Sequence, residues 1–110
     1  MVAAPPKPRI FSYREAVALL PEVQRITDEA YRRAVALEPR LADHAVARAE
    51  LEQLVEDWTR RMQALGVEVK DLWLIDFDNG SGYYCWRYPE PALQYYHSYE
   101  DGFRGRMPIQ

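Results

Sequence analysis

The chain has 110 residues, of which 48% are hydrophobic and 28% charged, and its net charge is −3. That length suits one domain able to bury a core without disulfide or metal staples, and Cys85, the single cysteine, excludes an intrachain disulfide. Residues 1–66 hold ten acids and ten Lys/Arg, residues 67–110 seven acids and four Lys/Arg, so there is no basic stripe to displace counterions from phosphates and nucleic acid is not an expected partner.

The opening MVAAPPKPRI predicts a flexible proline-rich lead-in over 1–10, with no apolar run that would serve as a signal-peptide core. Nothing in the sequence approaches a membrane span, so no membrane partner is expected. A lone cysteine fits a reducing cytoplasm. Residues 11–110 read as a single α+β domain, helical over 12–66, sheet over 70–99, with a C-terminal tail over 100–110.

Ser12-Tyr13-Arg14-Glu15 matches a capping box and starts a helix at Tyr13. Pro21 disfavours helical geometry at Leu20 and suits a new first turn, which predicts a short N-terminal helix 13–20 followed by a restart. From there Val23, Ile26, Ala30, Ala34 and Leu37 form one apolar stripe, while Asp28 with Arg32 and Glu29 with Arg33 belong on the solvated face. The reversal falls in 38–44, near Pro39, with Asp43 as the N-cap of the next helix. There Leu51, Leu54, Val55, Trp58, Met62 and Leu65 share one face, Glu56–Arg60 and Asp57–Arg61 lie outside, and Gly66 stops the helix. The two amphipathic helices are expected to form an antiparallel helical hairpin, which is also half of a four-helix bundle if two chains associate.

After Gly66 the periodicity changes from helical to alternating. Leu72–Phe77, Tyr83–Tyr88 and Leu93–Tyr99 predict a three-stranded antiparallel sheet, with Asn79-Gly80 as the first turn. A two-residue loop at 79–80 and a four-residue loop at 78–81 both place Phe77 opposite Gly82, which sets Asp76 opposite Tyr83 and Trp73 opposite Trp86. Trp73, Ile75, Phe77, Tyr84 and Trp86 then face the helices, and Leu72, Leu74, Asp76, Tyr83, Cys85 and Arg87 form a mixed outer face. The second turn holds Pro89-Glu90-Pro91. A four-residue loop 88–91 puts Leu93, Tyr95 and His97 on the core side, and a one-residue change moves them to the mixed face. Only the latter aligns Asp76, Tyr83 and His97.

His97 is the first candidate for chemistry, as an acid or base oriented by Asp76, although a histidine among tyrosines is ordinarily a hydrogen-bonded structural residue. Cys85 reads as a buried small hydrophobe more readily than as a nucleophile, since no base or helix N-terminus is placed to lower its pKa. His44, Asp76, Asp78, Glu90, His97 and Asp101 are the available metal-ligand pool, and no spacing among them forms a ligand motif. Gly80-Ser81-Gly82 sits in a hairpin and is no phosphate loop. Arg87, Arg104 and Arg106 suit bidentate anion recognition, against the plainer reading that the tail clasps its own sheet and pairs its arginines with Glu90, Glu100 or Asp101.

FSYREAVALLPEV, GVEVKD, CWRYPEP and YYHSYEDGFRGRMPI resemble the successive signatures of an uncharacterised prokaryotic family, domain of unknown function 2203, over Phe11–Ile109. Carried onto this chain the signature positions are Cys85, Trp86, Arg87, Glu90, Tyr95, His97, Gly102, Phe103, Gly105, Arg106 and Pro108. Two departures stand out: Ser98 where the pattern calls for an acid, and a short first hairpin loop. The resemblance supplies no activity and leaves cofactors unknown, and directs attention to Arg87, Glu90, His97 and Arg106 as ligand-binding candidates. Two helices cover only one face of such a sheet well, and Leu72, Leu74, Tyr83 and Cys85 would leave an apolar patch on the other. The primary expectation is therefore a cytoplasmic homodimeric structural or interaction module without catalytic activity. The alternative is a small enzyme or receptor that holds an anionic metabolite through Arg87, Arg106 and His97.

Overall fold

The computed structural model describes residues 9–42 and 44–110. The lead-in predicted for 1–10 lies outside the described residues apart from Arg9 and Ile10, as does the expected N-cap Asp43. In order the elements are α1 (Tyr13–Leu37), a 3₁₀ turn (Glu38–Arg40), α2 (Ala45–Ala64), β1 (Glu68–Asp71), β2 (Leu74–Asp78), β3 (Tyr83–Arg87), β4 (Tyr95–His97), a 3₁₀ turn (Phe103–Gly105) and β5 (Met107–Pro108). Among the described residues, no helix is long and apolar enough to cross a membrane.

The capping box forms as the sequence predicts, with the Glu15 amide donating to Ser12 Oγ and the Ser12 amide to Glu15 Oε1. Helix α1 does not restart at Pro21 but runs through it for 25 residues. An interior proline costs about 3 kcal/mol. Leu20, Val23 and Ile26, buried on both sides of Pro21, each gain about 1.5–3 kcal/mol from burial only if the stripe continues unbroken. The stripe wins.

Nor is the helical pair a clear hairpin: the structure has a long helix and a second, shorter one. The reason is that α1 serves two neighbours. It lies along the sheet through Tyr13 against Tyr84, with ring centroids 5.4 Å apart, and through Tyr88, whose hydroxyl donates to Asp28 Oδ1 at 2.6 Å. It meets α2 where Trp58 Nε1–H donates to the buried Thr27 hydroxyl at 2.9 Å. Asp28–Arg32 pairs as expected, whereas Asp57 pairs with Arg60 rather than Arg61. Gly66, at φ +89°, ends α2 in a conformation that only glycine adopts without strain.

Five strands, not three, form one antiparallel sheet in the order β1-β2-β3-β4-β5. Strand β1 lies in the GVEVKD stretch, to which the sequence assigned no strand, and β5 comes from the tail, so each edge gained a short strand from a segment lacking a strong alternating pattern. Leu72 and Trp73 form the turn from β1 rather than the start of β2. Trp73 sits at φ +60°, unusual for a side chain of its size, and its ring packs 4.9 Å from Trp58.

The first hairpin is shifted by two residues from the expected register: Ile75 pairs Trp86, Asp76 pairs Cys85 and Phe77 pairs Tyr84. Asn79-Gly80 does not close a two-residue turn. The Asn79 side chain accepts from the amides of Ser81 and Gly82, and Asp78 Oδ1 accepts from Gly80, which spreads the loop over Asn79–Gly82. An even shift leaves the faces unchanged. Ile75, Phe77 and Trp86 are therefore buried against Phe11, Val23, Trp58 and Met62 as the alternation predicted.

Thr27→Val keeps the shape of its site and strands the buried Trp58 N–H. It is expected to cost about 1–3 kcal/mol in urea unfolding with an unchanged m-value; a midpoint equal to that of the parent chain would show that the bond contributes nothing.

Candidate functional site

The chemistry lies on the sheet face turned away from the helices. There β2 presents Asp76, β3 presents Tyr83 and Cys85, and β4 presents His97, because Asp76 pairs Cys85 while Tyr83 pairs both Asp78 and His97. His97 thus takes the mixed face, the second of the two outcomes left open by the sequence, and Leu93 alone turns into the core. The loop is longer than four residues and is held by Glu90: its carbonyl accepts from Trp86 Nε1–H, and its carboxylate from the Arg87 amide, each at 2.8 Å. Gly82 makes the register possible. A Cβ there would lie 2.7 Å from the His97 carbonyl oxygen.

Asp76 and His97 are 1% and 4% exposed, and their Oδ2 and Nε2 atoms are 2.9 Å apart. The other ring nitrogen, Nδ1, lies 2.8 Å from the Ser98 carbonyl oxygen. A carbonyl only accepts, so Nδ1 carries a proton and donates. One further proton then lies between Nε2 and Oδ2, since two facing lone pairs at that distance would repel. Both ring nitrogens are engaged. Among the described residues, Asp76 Oδ1 is the one buried side-chain oxygen or nitrogen without a hydrogen-bond partner.

Of the pair, Asp76 Oδ1 is thus the atom without a partner, while both nitrogens of His97 are engaged. Burial pushes the Asp76 carboxyl above the usual carboxylate range, opposed by the charge of His97, a hydrogen bond from Cys85 and the charge of Lys70. Burial likewise raises Cys85, and with the negative charge of Asp76 brings the thiol to about 12, against the opposing pull of Arg106. Cys85 is thus no thiolate nucleophile by itself.

Over this floor the segment 99–103 folds back and encloses a cavity of about 370 Å³, into which Asp76, Cys85 and His97 project, with Tyr83 and Phe103 on its walls. Its exposed rim carries Lys70, Asp71, Glu100 and Asp101. Lys70 is bound to Glu68 Oε1 at 2.9 Å, and burial, which lowers its pKa, is outweighed by the hydrogen bonds of Glu68 and Tyr83, which raise it. The rim is acidic on balance.

The remaining ligand candidates gather elsewhere. Arg106 pairs Glu90 at 2.8 Å and stacks at 4.1 Å over both Tyr95 and Phe103. Arg87 is exposed, with its guanidinium 5.3 Å from the Phe103 ring. The tail clasps its own sheet here, with the Arg106 fork against Glu90 and two rings. Ser98, the departure from the expected acid, makes a tight turn in which its hydroxyl donates to Asp101 Oδ2 and accepts from the Asp101 amide. Cys85 escaped the site reading because the expected register set Tyr83, not Cys85, beside Asp76.

Glu90→Ala is expected to free Arg106 and loosen β5, speeding amide exchange at Ile109, whose N–H donates to the Gln94 carbonyl, and costing about 1–3 kcal/mol. Unchanged exchange at Ile109 would show that the clasp does not hold the tail.

A family model described as Uncharacterized conserved protein (DUF2203) matches residues 9–109. No curated protein and no solved structure matches the chain. The match takes in both helices, all five strands and the clasping tail, and on it the chain belongs to the DUF2203 family.

Proposed function

We propose that the chain is a small-molecule receptor or enzyme whose site is the outer-face cavity, with Asp76 as the group that accepts a proton or hydrogen bond and His97 as its positioning partner. One observation carries this reading: a buried carboxylate among the residues lining a cavity, with one oxygen tied to His97 and the other without a partner. Burying two ionisable groups costs several kcal/mol that an apolar pair would not. Such an arrangement is characteristic of sites, where a raised carboxyl pKa suits general acid–base work.

The ligand class follows from the charges. With Asp71, Glu100 and Asp101 on the rim and Arg106 occupied by Glu90, the surroundings favour a cationic or hydrogen-bond-donating guest over the anionic metabolite expected from the arginines. A thermal-shift screen of amines, polyols, carboxylates and phosphates is expected to give stabilisation by a donor-bearing or cationic compound, lost in Asp76→Asn. Stabilisation only by anions would restore the arginine reading, and stabilisation that survives Asp76→Asn would remove the site.

A second reading, association of two copies as a homodimer, draws support from the helices rather than from the outer face. Of the four residues expected to form an apolar patch there, Cys85 is buried and only Leu72 is exposed. Between α1 and α2 runs a groove of about 580 Å³, floored by the buried Ile26, Ala30 and Trp58 and the half-buried Leu54, with Glu29, Arg33, Asp57 and Arg61 at its sides. Mixed signs beside an apolar strip are self-complementary across a twofold axis. Light scattering at micromolar concentration is expected to give twice the chain mass, reduced to one by Ala30→Arg; a monomeric parent chain ends this reading. A cytoplasmic location, the remaining expectation, is supported by the reduced, buried Cys85.

A further inference from the structure

We infer that Asp76, Cys85 and His97 form a three-ligand site for a borderline divalent cation of the zinc class, with the fourth position turned to the cavity. The inference rests on the preceding reading of that cavity as the functional site, and specifies its cationic guest as a metal ion.

Three independent features support it. The first is convergence: one donor atom from each of the three buried side chains lies within 4.8 Å of the others. Tetrahedral zinc with nitrogen, oxygen and sulfur ligands places its donors about 3.3–3.6 Å apart, so the 2.9 Å hydrogen bond between His97 and Asp76 must give way and a donor pair near the 4.8 Å limit must close by about 1 Å. The second is Asp76 Oδ1, on a residue 1% exposed and without a hydrogen-bond partner. A cation satisfies it directly.

The third is the orientation of the histidine. Metal-binding imidazoles characteristically donate the distal N–H to a backbone carbonyl or carboxylate, which fixes the tautomer and aims the other nitrogen at the ion. His97 does this through Nδ1 and the Ser98 carbonyl, leaving Nε2 for the metal. The ligand set itself selects the ion class. Thiolate with imidazole suits Zn²⁺ and Co²⁺, whereas Mg²⁺ and Ca²⁺ take oxygen donors.

Loading is an exchange of protons for metal. The Cys85 thiol gives up its proton as the sulfur–metal bond forms, and the proton between His97 Nε2 and Asp76 Oδ2 leaves as Nε2 turns to the ion and the carboxylate binds it through Oδ1. Two protons pass to solvent for each divalent cation bound, and no electron is transferred. Three protein ligands and one open position are the arrangement of catalytic rather than structural zinc.

The test is Co²⁺ titration of the untagged full-length chain after chelator treatment, followed by competition with Zn²⁺. One equivalent of Co²⁺ is expected to produce a near-ultraviolet sulfur-to-cobalt charge-transfer band together with visible bands of tetrahedral intensity, both erased by Zn²⁺. Cys85→Ser, nearly isosteric, should abolish the charge-transfer band. Asp76→Asn and His97→Gln should weaken binding by more than about 100-fold, beyond the usual cost of losing a supporting group. His44→Gln, removing the other histidine, should change nothing. Circular dichroism of each variant separates lost ligation from lost fold. Should all three ligand variants unfold, the parent chain still decides: no charge-transfer band overturns the assignment, as does a band that persists in Cys85→Ser. If the metal fails while an organic compound stabilises the chain through Asp76, the cavity reading stands and the metal falls; failure of both removes the site.

Discussion

The pairing of β2 with β3 is the constraint on which the rest of the molecule depends. Ile75 beside Trp86 and Asp76 beside Cys85 are adjacent rungs of one ladder, and the pleat sends them to opposite faces. The first rung lies in the core with Phe11, Trp58 and Met62. The second therefore has to lie outside, and the same geometry that fills the interior with rings delivers a carboxylate and a thiol side by side to the far surface. Neither face can be altered by a single-residue slip without exchanging the two.

A mixed face on a small sheet would ordinarily be solvated. Here the chain turns back over it: after His97 the turn at Ser98 and Asp101 redirects the backbone, Phe103 walls the cavity, and β5 completes the edge beside β4. The clasp is electrostatic as well as apolar, since Arg106 is held between Glu90 and two rings. Covering the face excludes water from Asp76 and His97. It also raises the desolvation cost of leaving Asp76 Oδ1 without a partner, which is why the floor of the cavity, rather than the exposed arginines, is where a ligand has most to offer.

The two clusters on this face divide the labour. Glu90 is hydrogen-bonded to the Arg87 amide, accepts Trp86 through its carbonyl and pairs Arg106, so these polar residues of the CWRYPEP and GFRGRMPI stretches are occupied with fastening loop to tail. That leaves Asp76, Cys85 and His97 as the part of the polar inventory that packing alone does not explain. The family match covers both clusters alike, and the physical distinction between them comes from satisfaction: one network is complete, the other has an open valence.

By itself the sequence determined the capped start of α1, the stripe of Val23, Ile26 and Ala30, the stop at Gly66, and the split of the hairpin into a core face and a mixed face, because each follows from spacing along a single element. It also singled out Asp76 and His97. Tertiary contacts decided the rest. Whether Pro21 breaks a helix depends on what the flanking residues bury; the two-residue shift at Asn79–Gly82 depends on side chains capping a loop; and the strands at both edges exist through their neighbours more than through their own pattern. Cys85 joined the site only when the register set it opposite Asp76, and His97 only when Glu90 fixed the loop that chooses its face. Periodicity within a segment is a local property, whereas register between segments is a sum over contacts that no single stretch contains.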